Sequence, residues 1–279
     1  MQRPGRRTFF DSLAPSISAR LMKELREFGW LATLRACIFI MWSKMGRNEF
    51  TFPLFGHPFR VRGNRRKLGV DGMLYARREG FEPTLMPYFR LERSGTTFFD
   101  IGANYGYWSR FVLVDSRTRG VSDVSIVSFE PVPLSYDLLV ANMKYVQEAN
   151  DNIRCEQMAV SEQSGTCFMN PSNSDPGSAF VSDSGSIECN STSIDAYVEA
   201  RQIKNISLMK IDVEGFEMRV LQGARRTILR DRPLIVCEVI ASHLERAGST
   251  PEDVFREVAH LGYSYQRISD TDCVFRPPQ

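Results

Sequence analysis

At 279 residues, with 43% hydrophobic and 24% charged residues, the chain can bury a full core and is too apolar for a disordered polymer. Its formal net charge of +2 conceals an uneven distribution: residues 1–95 carry 18 Lys and Arg against 8 Asp and Glu, and residues 96–279 carry 17 against 25. Six cysteines without a C-x-x-C pair, and three histidines without ligand spacing, argue against a disulfide scaffold and against a metal site.

Residues 1–78 read as a basic, partly helical extension with a cap. Ile17, Leu21, Leu25, Phe28, Leu31, Leu34 and Ile38 recur at three- and four-residue steps through residues 16–45, opposite Lys23, Glu24, Arg26 and Glu27, the pattern of an amphipathic helix. Packing on its own domain is the preferred use of that helix; a peripheral membrane contact or a homodimer contact is the alternative. The apolar run Phe28–Trp42 is fifteen residues long and contains Arg35, whereas a membrane-spanning helix needs about twenty. No short apolar core with a small-residue cleavage site follows Arg3, Arg6 and Arg7, and with the reduced thiols expected here the reading is cytoplasmic. Aromatic and polar residues then alternate from Phe50 to Arg60 around Pro53 and Pro58, which predicts short strands.

A second domain, residues 79–279, is more regular. Strands are expected at Thr97–Ile101, Val124–Phe129, Ile153–Val160, Ser207–Ile211, Leu234–Ile240, Tyr263–Ile268 and Cys273–Arg276. Helices are expected at Tyr107–Val114, Leu134–Glu148, Ser193–Arg201, Gly215–Arg230 and Pro251–Leu261. Alternation of this kind means an α/β, Rossmann-like fold: a parallel sheet with helices on both faces, the last two strands joined as an antiparallel hairpin. Residues 161–191, rich in Ser, Gly, Asn, Asp and Pro, read as a long loop or loose hairpin.

Four strand ends carry the chemistry. Phe98-Phe99-Asp100-Ile101-Gly102-Ala103-Asn104-Tyr105-Gly106 is an apolar strand entering a glycine-rich turn, and ligands of open parallel sheets bind at such turns. The spacing is G-x-x-x-G rather than the G-x-G-x-x-G of a dinucleotide site, and Asp100 would repel a pyrophosphate. S-adenosylmethionine, with an ammonium, a sulfonium and no phosphate, suits that acid. Glu130, which ends Val127-Ser128-Phe129-Glu130-Pro131, can accept both ribose hydroxyls; the competing reading has it cap the helix that follows. Met158 and Ala159, at the third strand end, are candidates for the adenine wall. Asp212 and Glu214, in Lys210-Ile211-Asp212-Val213-Glu214-Gly215-Phe216-Glu217, are the leading general bases for deprotonating an acceptor, with His243 behind them. Tyr105, Tyr107 and Trp108 either face the sulfonium or pack in the core.

These motifs, with Glu79-Gly80-Phe81-Glu82-Pro83, Asn142, Ile194-Asp195 and Val220-Leu221-Gln222-Gly223-Ala224, resemble the FkbM family of methyltransferases over about Glu79 to Leu261. The resemblance implies the seven-stranded class I methyltransferase sheet. It also implies methyl transfer from S-adenosylmethionine to a hydroxyl of a sugar, glycan or glycolipid, or secondary metabolite, with Asp100, Gly102, Asn104, Gly106, Glu130, Pro131 and Asp212 around the cofactor. Ser161-Glu162 and Ser193-Ile194-Asp195 stand where relatives commonly carry an acid and a T-L-D triplet. Two rival readings stay open, a nicotinamide-dependent dehydrogenase and a catalytically silent scaffold on the same fold; a third, methylation of nucleic acid, has only the basic N-terminal piece in support and is set aside.

Overall fold

A computed structural model of the chain describes residues 49–62, 82–149, 151–171, 179–181 and 185–278. The amphipathic helix expected at 16–45 lies outside them, and with it the membrane and homodimer contacts. The chain divides into two units. Only Glu49 and Phe50 of the first, residues 1–50 and 63–81, are described; the second comprises residues 51–62 and 82–279. The segment 51–62, read above as part of the cap, is thus grouped with the second unit. No helix among the described residues is long and apolar enough to cross a membrane.

In chain order, the hairpin of β1 (Glu49–Leu54) and β2 (His57–Arg62) precedes β3 (Thr97–Ile101), α1 (Tyr107–Thr118), β4 (Ser125–Phe129), α2 (Pro133–Lys144) and β5 (Asn152–Glu156). Four short strands follow, β6 (Ala159–Val160), β7 (Gly165–Pro171), β8 (Ala179–Val181) and β9 (Ile187–Thr192), then α3 (Ile194–Arg201) and β10 (Ile206–Ile211). The chain closes with α4 (Glu217–Gly223), α5 (Arg225–Asp231), β11 (Leu234–Glu238), α6 (Ala241–Arg246), α7 (Pro251–His260), β12 (Ser264–Arg267) and β13 (Asp272–Arg276).

Seven of these strands make one sheet in the order β12-β13-β11-β10-β3-β4-β5, the class I methyltransferase sheet that the sequence led us to expect. Five neighbours run parallel, and β13 pairs antiparallel with both β11 and β12. Strand alternation sorts the layers. Phe99 and Ile101 of β3 join a cluster with Tyr197 of α3, Val220 and Leu221 of α4, Ile228 of α5 and Val254 of α7. On the other face, Phe98 meets Phe89 edge-on, Phe89 stacks on Trp108 of α1 at 3.8 Å, and Asp100 bonds to Ser109 of the same helix. Helix starts follow local chemistry: Pro133 opens α2, Ser193 caps α3, and Thr250 with Asp253 forms a capping box on α7.

Three expectations are corrected. Ile153–Val160 is two strands, because the chain leaves the main sheet at Glu156 and pairs β6 with β9. The described residues of 161–191 are not a loop: β7 pairs antiparallel with β8 and β9, in keeping with the hairpin alternative, and with β6 they build a four-stranded sheet, order β6-β9-β7-β8. Its alternation was hidden because Cys167 and Met169, which pack with Ile187 and Cys189, flank the exposed Phe168, and the apolar positions are few among Ser, Gly, Asn and Asp. The helix expected at Gly215–Arg230 is broken at Ala224 into α4 and α5. At Gly223 the chain passes so close to β6 that an added Cβ would stand 2.2 Å from the Ser161 carbonyl oxygen.

Arg110 of α1 ties the hairpin to the sheet. Fully buried, its guanidinium donates to the carbonyls of Pro58 (2.7 Å) and Leu54 (2.9 Å) and lies over the Phe59 ring; burial lowers its pKa to about 10. Arg110→Ala, which leaves two buried carbonyls without donors, is expected to cost about 3 kcal/mol, read as a lower urea midpoint.

Candidate active site

The glycine-rich turn grows directly out of β3. Gly102 and Ala103 both donate to the Phe129 carbonyl at the end of β4, and Asp212 donates its backbone N–H to the Ile101 carbonyl, so three strand ends are bonded together. Gly102 has φ +79°, and a Cβ there would come within 1.7 Å of the Asp212 carbonyl oxygen. Only glycine permits that approach. Asn142 of α2 holds the far side of the turn, donating to the Tyr105 and Arg60 carbonyls at 2.8 Å each and accepting from Arg60 N–H at 2.7 Å.

Glu130, 4% exposed, accepts from the backbone N–H of Asn104 with Oε2 and of Val132 with Oε1, both at 2.9 Å. Val132 is the N-cap of α2, so the capping reading has a real bond behind it; each oxygen nevertheless keeps a lone pair for a ligand. Asp100 is deeper still. Its Oδ2 accepts from Ser109 N–H (3.0 Å) and from the Ser109 hydroxyl (2.6 Å), which also meets Ser128 Oγ at 2.7 Å. Its Oδ1 is buried without a hydrogen bond among the described residues, 3.9 Å from Lys210 Nζ. Asp100 therefore supports the turn from beneath rather than lining a cleft.

Lys210 is the group that the sequence reading quoted but did not assign. It sits opposite Asp100 in the β10–β3 register, is 9% exposed, and donates to Asp212 Oδ2 (2.9 Å) and to the Gly102 carbonyl (3.1 Å). Burial opposes its charge, but Asp212, Asp100 and Glu82 outweigh burial and hold its pKa above the ordinary lysine value. Nothing in the spacing distinguishes it from a strand-end lysine; only the register places it between two acids.

Gly102, Asn104, Glu130, Pro131, Asp212 and Glu214 line one cleft of about 90 Å³, together with Val132, Met169 and Val213. Gly106, at φ +84°, begins α1 behind the turn, where an added Cβ would meet Leu139 at 2.6 Å. Met158 and Ala159 do not line this cleft: Ala159 is buried with Val132, Cys189 and Met169, and Met158 packs on the main core. Met169 of β7, from the segment read as a loop or loose hairpin, lines the cleft in their place. Asp212 also borders a smaller cavity of about 20 Å³, where Glu82, Glu238 and Asp272 face Lys210, Phe89 and Trp108. Glu82 and Glu238 lie in segments that the sequence reading quoted, the second as a strand, without giving either residue a role. Glu214 holds φ +57° and places Oε2 3.2 Å from His243 Nδ1; His243 lines neither cavity. Tyr105, Tyr107 and Trp108 are buried, the first with its hydroxyl on the Arg62 carbonyl.

Burial raises the pKa of Glu82, Glu130 and Glu217 from 4.5 to about 7, and that of Glu238 to about 10. Across pH 4.5 to 7 the folded chain then binds more protons than the unfolded one, so stability falls as pH rises through that window. The upper limit is on the order of 3 kcal/mol per group. Urea midpoints are expected to be higher at about pH 5 than at about pH 8; an unchanged midpoint would contradict the assignment.

Residues 100–265 match the methyltransferase FkbM domain. A hexuronic acid methyltransferase, AglP, of Haloferax volcanii is 29% identical over 157 residues, 56% of this chain and 58% of that protein. The chain thus spans little more than half the length of that curated relative. Among solved structures, a methyltransferase FkbM from Methylobacillus flagellatus aligns at 18% identity and a TM-score of 0.46, covering 66% of this chain and 44% of its own. TYW2 of M. jannaschii, solved in complex with AdoMet, aligns at 10% identity and a TM-score of 0.40, over 83% and 88% of the two chains.

Proposed function

The chain belongs to the FkbM methyltransferase family, and from that premise we propose that it transfers a methyl group from S-adenosylmethionine to a hydroxyl of a sugar or glycan. The observation that carries the reading is the single cleft shared by Gly102, Asn104, Glu130, Asp212 and Glu214. Its donors and acceptors fit the proposed ligand: a carboxylate pair for an ammonium, Glu130 for ribose hydroxyls, and no cluster of cations for a phosphate. At about 90 Å³ it is smaller than a full ligand pocket of roughly 300–1,000 Å³, so the described residues frame one end of the cofactor only.

When bound, the cofactor supplies an electrophilic methyl group on a good leaving group. The protein's task is to align the acceptor and remove its proton. Asp212 borders both the cofactor cleft and the acid-lined cavity beside Trp108, which makes it the first choice for general base. Lys210 holds one Asp212 oxygen and leaves the other for the acceptor. Glu214 is second and His243 third. A saccharide acceptor is favoured over other hydroxyl compounds by the hexuronic acid methyltransferase among the relatives. A cytoplasmic location belongs to the same reading.

Incubation of the purified chain with methyl-labelled S-adenosylmethionine and glycan, lipid and small-molecule fractions is the test. Label is expected in saccharide, at a hydroxyl. Label confined to protein or nucleic acid would overturn the acceptor class, and binding of a nicotinamide dinucleotide in place of S-adenosylmethionine would overturn the activity. Glu130→Gln, which keeps the shape but loses the charge, is expected to weaken cofactor binding about tenfold by calorimetry.

A further inference from the structure

Cys167 of β7 and Cys189 of β9 stand directly opposite each other in an antiparallel pair, with their Sγ atoms 3.0 Å apart. Opposed residues in such a pair have Cα atoms about 4.5–5.5 Å apart, inside the roughly 4.4–6.8 Å that a disulfide spans. Both thiols are free. They differ in access. Cys189 is buried in the cluster with Val132, Ala159 and Met169, whereas Cys167 lines an open groove of about 700 Å³ that it shares with Glu162, Phe216, Arg219 and Arg246. The groove is wide enough for a small molecule, and its two arginines outnumber the one carboxylate, Glu162, that pairs with Arg219 at 3.3 Å, a balance that favours an anionic one.

A second cross-strand pair provides the contrast. Cys237 and Cys273 also face each other, in β11 and β13, but both are 0% exposed and neither lines a described cavity. Register alone is therefore common to the two pairs; thiol contact combined with an open approach is particular to Cys167 and Cys189.

From this geometry we infer that Cys167 and Cys189 form a covalent modification site for small anionic disulfides of the glutathione type, with Cys167 the attacking thiol and Cys189 the resolving one. The Cys167 thiolate attacks one sulfur of the small disulfide, forms a mixed disulfide and releases one small thiolate. Cys189 then loses its proton, attacks Cys167 Sγ, closes the protein disulfide and expels the second small thiolate. Two protons leave the protein and two small thiols are produced, so the protein is oxidised by two electrons and the small disulfide is reduced. The order of events follows from access: Cys167 lines the groove while Cys189 is buried, and the contact between the two thiols lowers the Cys167 pKa and raises that of Cys189. The bridge would close β7 onto β9 two residues before Met169, which forms a wall of the cofactor cleft.

The experiment uses the full chain, reduced, freed of reductant, exposed to glutathione disulfide, then alkylated and mapped by mass spectrometry. The expected product is a peptide pair joining Cys167 to Cys189, lighter by two hydrogens, that a dithiol reductant reverses, while Cys237 and Cys273 are alkylated only after unfolding. In Cys189→Ser the glutathione adduct is expected to accumulate on Cys167; in Cys167→Ser neither adduct nor bridge is expected at Cys189. The inference is overturned if wild-type Cys167 and Cys189 both remain alkylatable, if the adduct on wild-type Cys167 persists unresolved, or if Cys237 and Cys273 bridge first. The wild-type measurement decides the matter without any variant, and none of its outcomes depends on methyl transfer.

Discussion

Replacing Asp212 by Asn is expected to lower kcat for methyl transfer about 10²–10⁴-fold, the usual worth of a positioned proton acceptor. The substitution keeps the oxygen that accepts from Lys210 at 2.9 Å and removes the basicity together with one of the two charges facing Lys210; Asp100 remains as its counterion, so the sheet is expected to fold. What singles Asp212 out is position: it alone among the three candidate bases borders both the cleft of Gly102, Asn104 and Glu130 and the cavity beside Trp108. Glu214→Gln and His243→Ala are accordingly expected to stay within about tenfold of the parent rate. Steady-state kinetics with saturating cofactor separates the cases. If Asp212→Asn changes only the affinity for cofactor and leaves kcat intact, Asp212 binds but does not act as base, and Glu214 takes its place.

Loss of the Lys210 charge is expected to be the most damaging change to the fold. Lys210→Met leaves Asp100 and Asp212 without their shared cation, and removing one member of a buried ion pair typically costs about 3–5 kcal/mol. Asp100 is 0% exposed and already has one oxygen without a hydrogen bond among the described residues, so it cannot recruit solvent in compensation. The measurement is a urea titration of Lys210→Met beside Lys210→Arg, which keeps the charge and is expected to recover part of the loss. A Lys210→Met midpoint equal to the parent would mean that Asp100 and Asp212 need no counterion, contrary to the register in which β10 sets Lys210 between them.

The two substitutions probe one physical fact from opposite sides. At the ends of β3, β4 and β10, carboxylates converge around one turn, and their cost is met in different ways. Asp100 leans on Ser109 and Lys210, Glu130 on two backbone amides, and Glu217 on the N–H groups of Val213 and Gly215. Burial raises the pKa values of Glu82 and Glu238 as it does those of Glu130 and Glu217, and the neighbouring acids add to the shift. Such a strand-end cluster is expensive for folding and useful for binding a cationic ligand, the trade seen at functional sites.

Much of this was legible in the amino-acid order. The main sheet could be read because its strands are short apolar runs bounded by turn residues, and the turn at Gly102 because an apolar strand runs into the G-x-x-x-G spacing; that a Cβ there would strike the Asp212 carbonyl is known only from the fold. Asp100, Glu130 and Asp212 were visible because each ends such a run. Their division of labour was not. Whether a carboxylate faces ligand, lysine or backbone amide depends on the register between strands distant in sequence, which put Lys210 against Asp100 and left Asp212 on the wall of two cavities. The β6–β9 sheet was hidden for a related reason: its strands bury one face only, among turn-type residues, and their pairing is fixed by long-range contacts. The local sequence thus determined which groups end the strands; tertiary packing decided which of them meet, because burial and register, not residue type, set what each charge can touch.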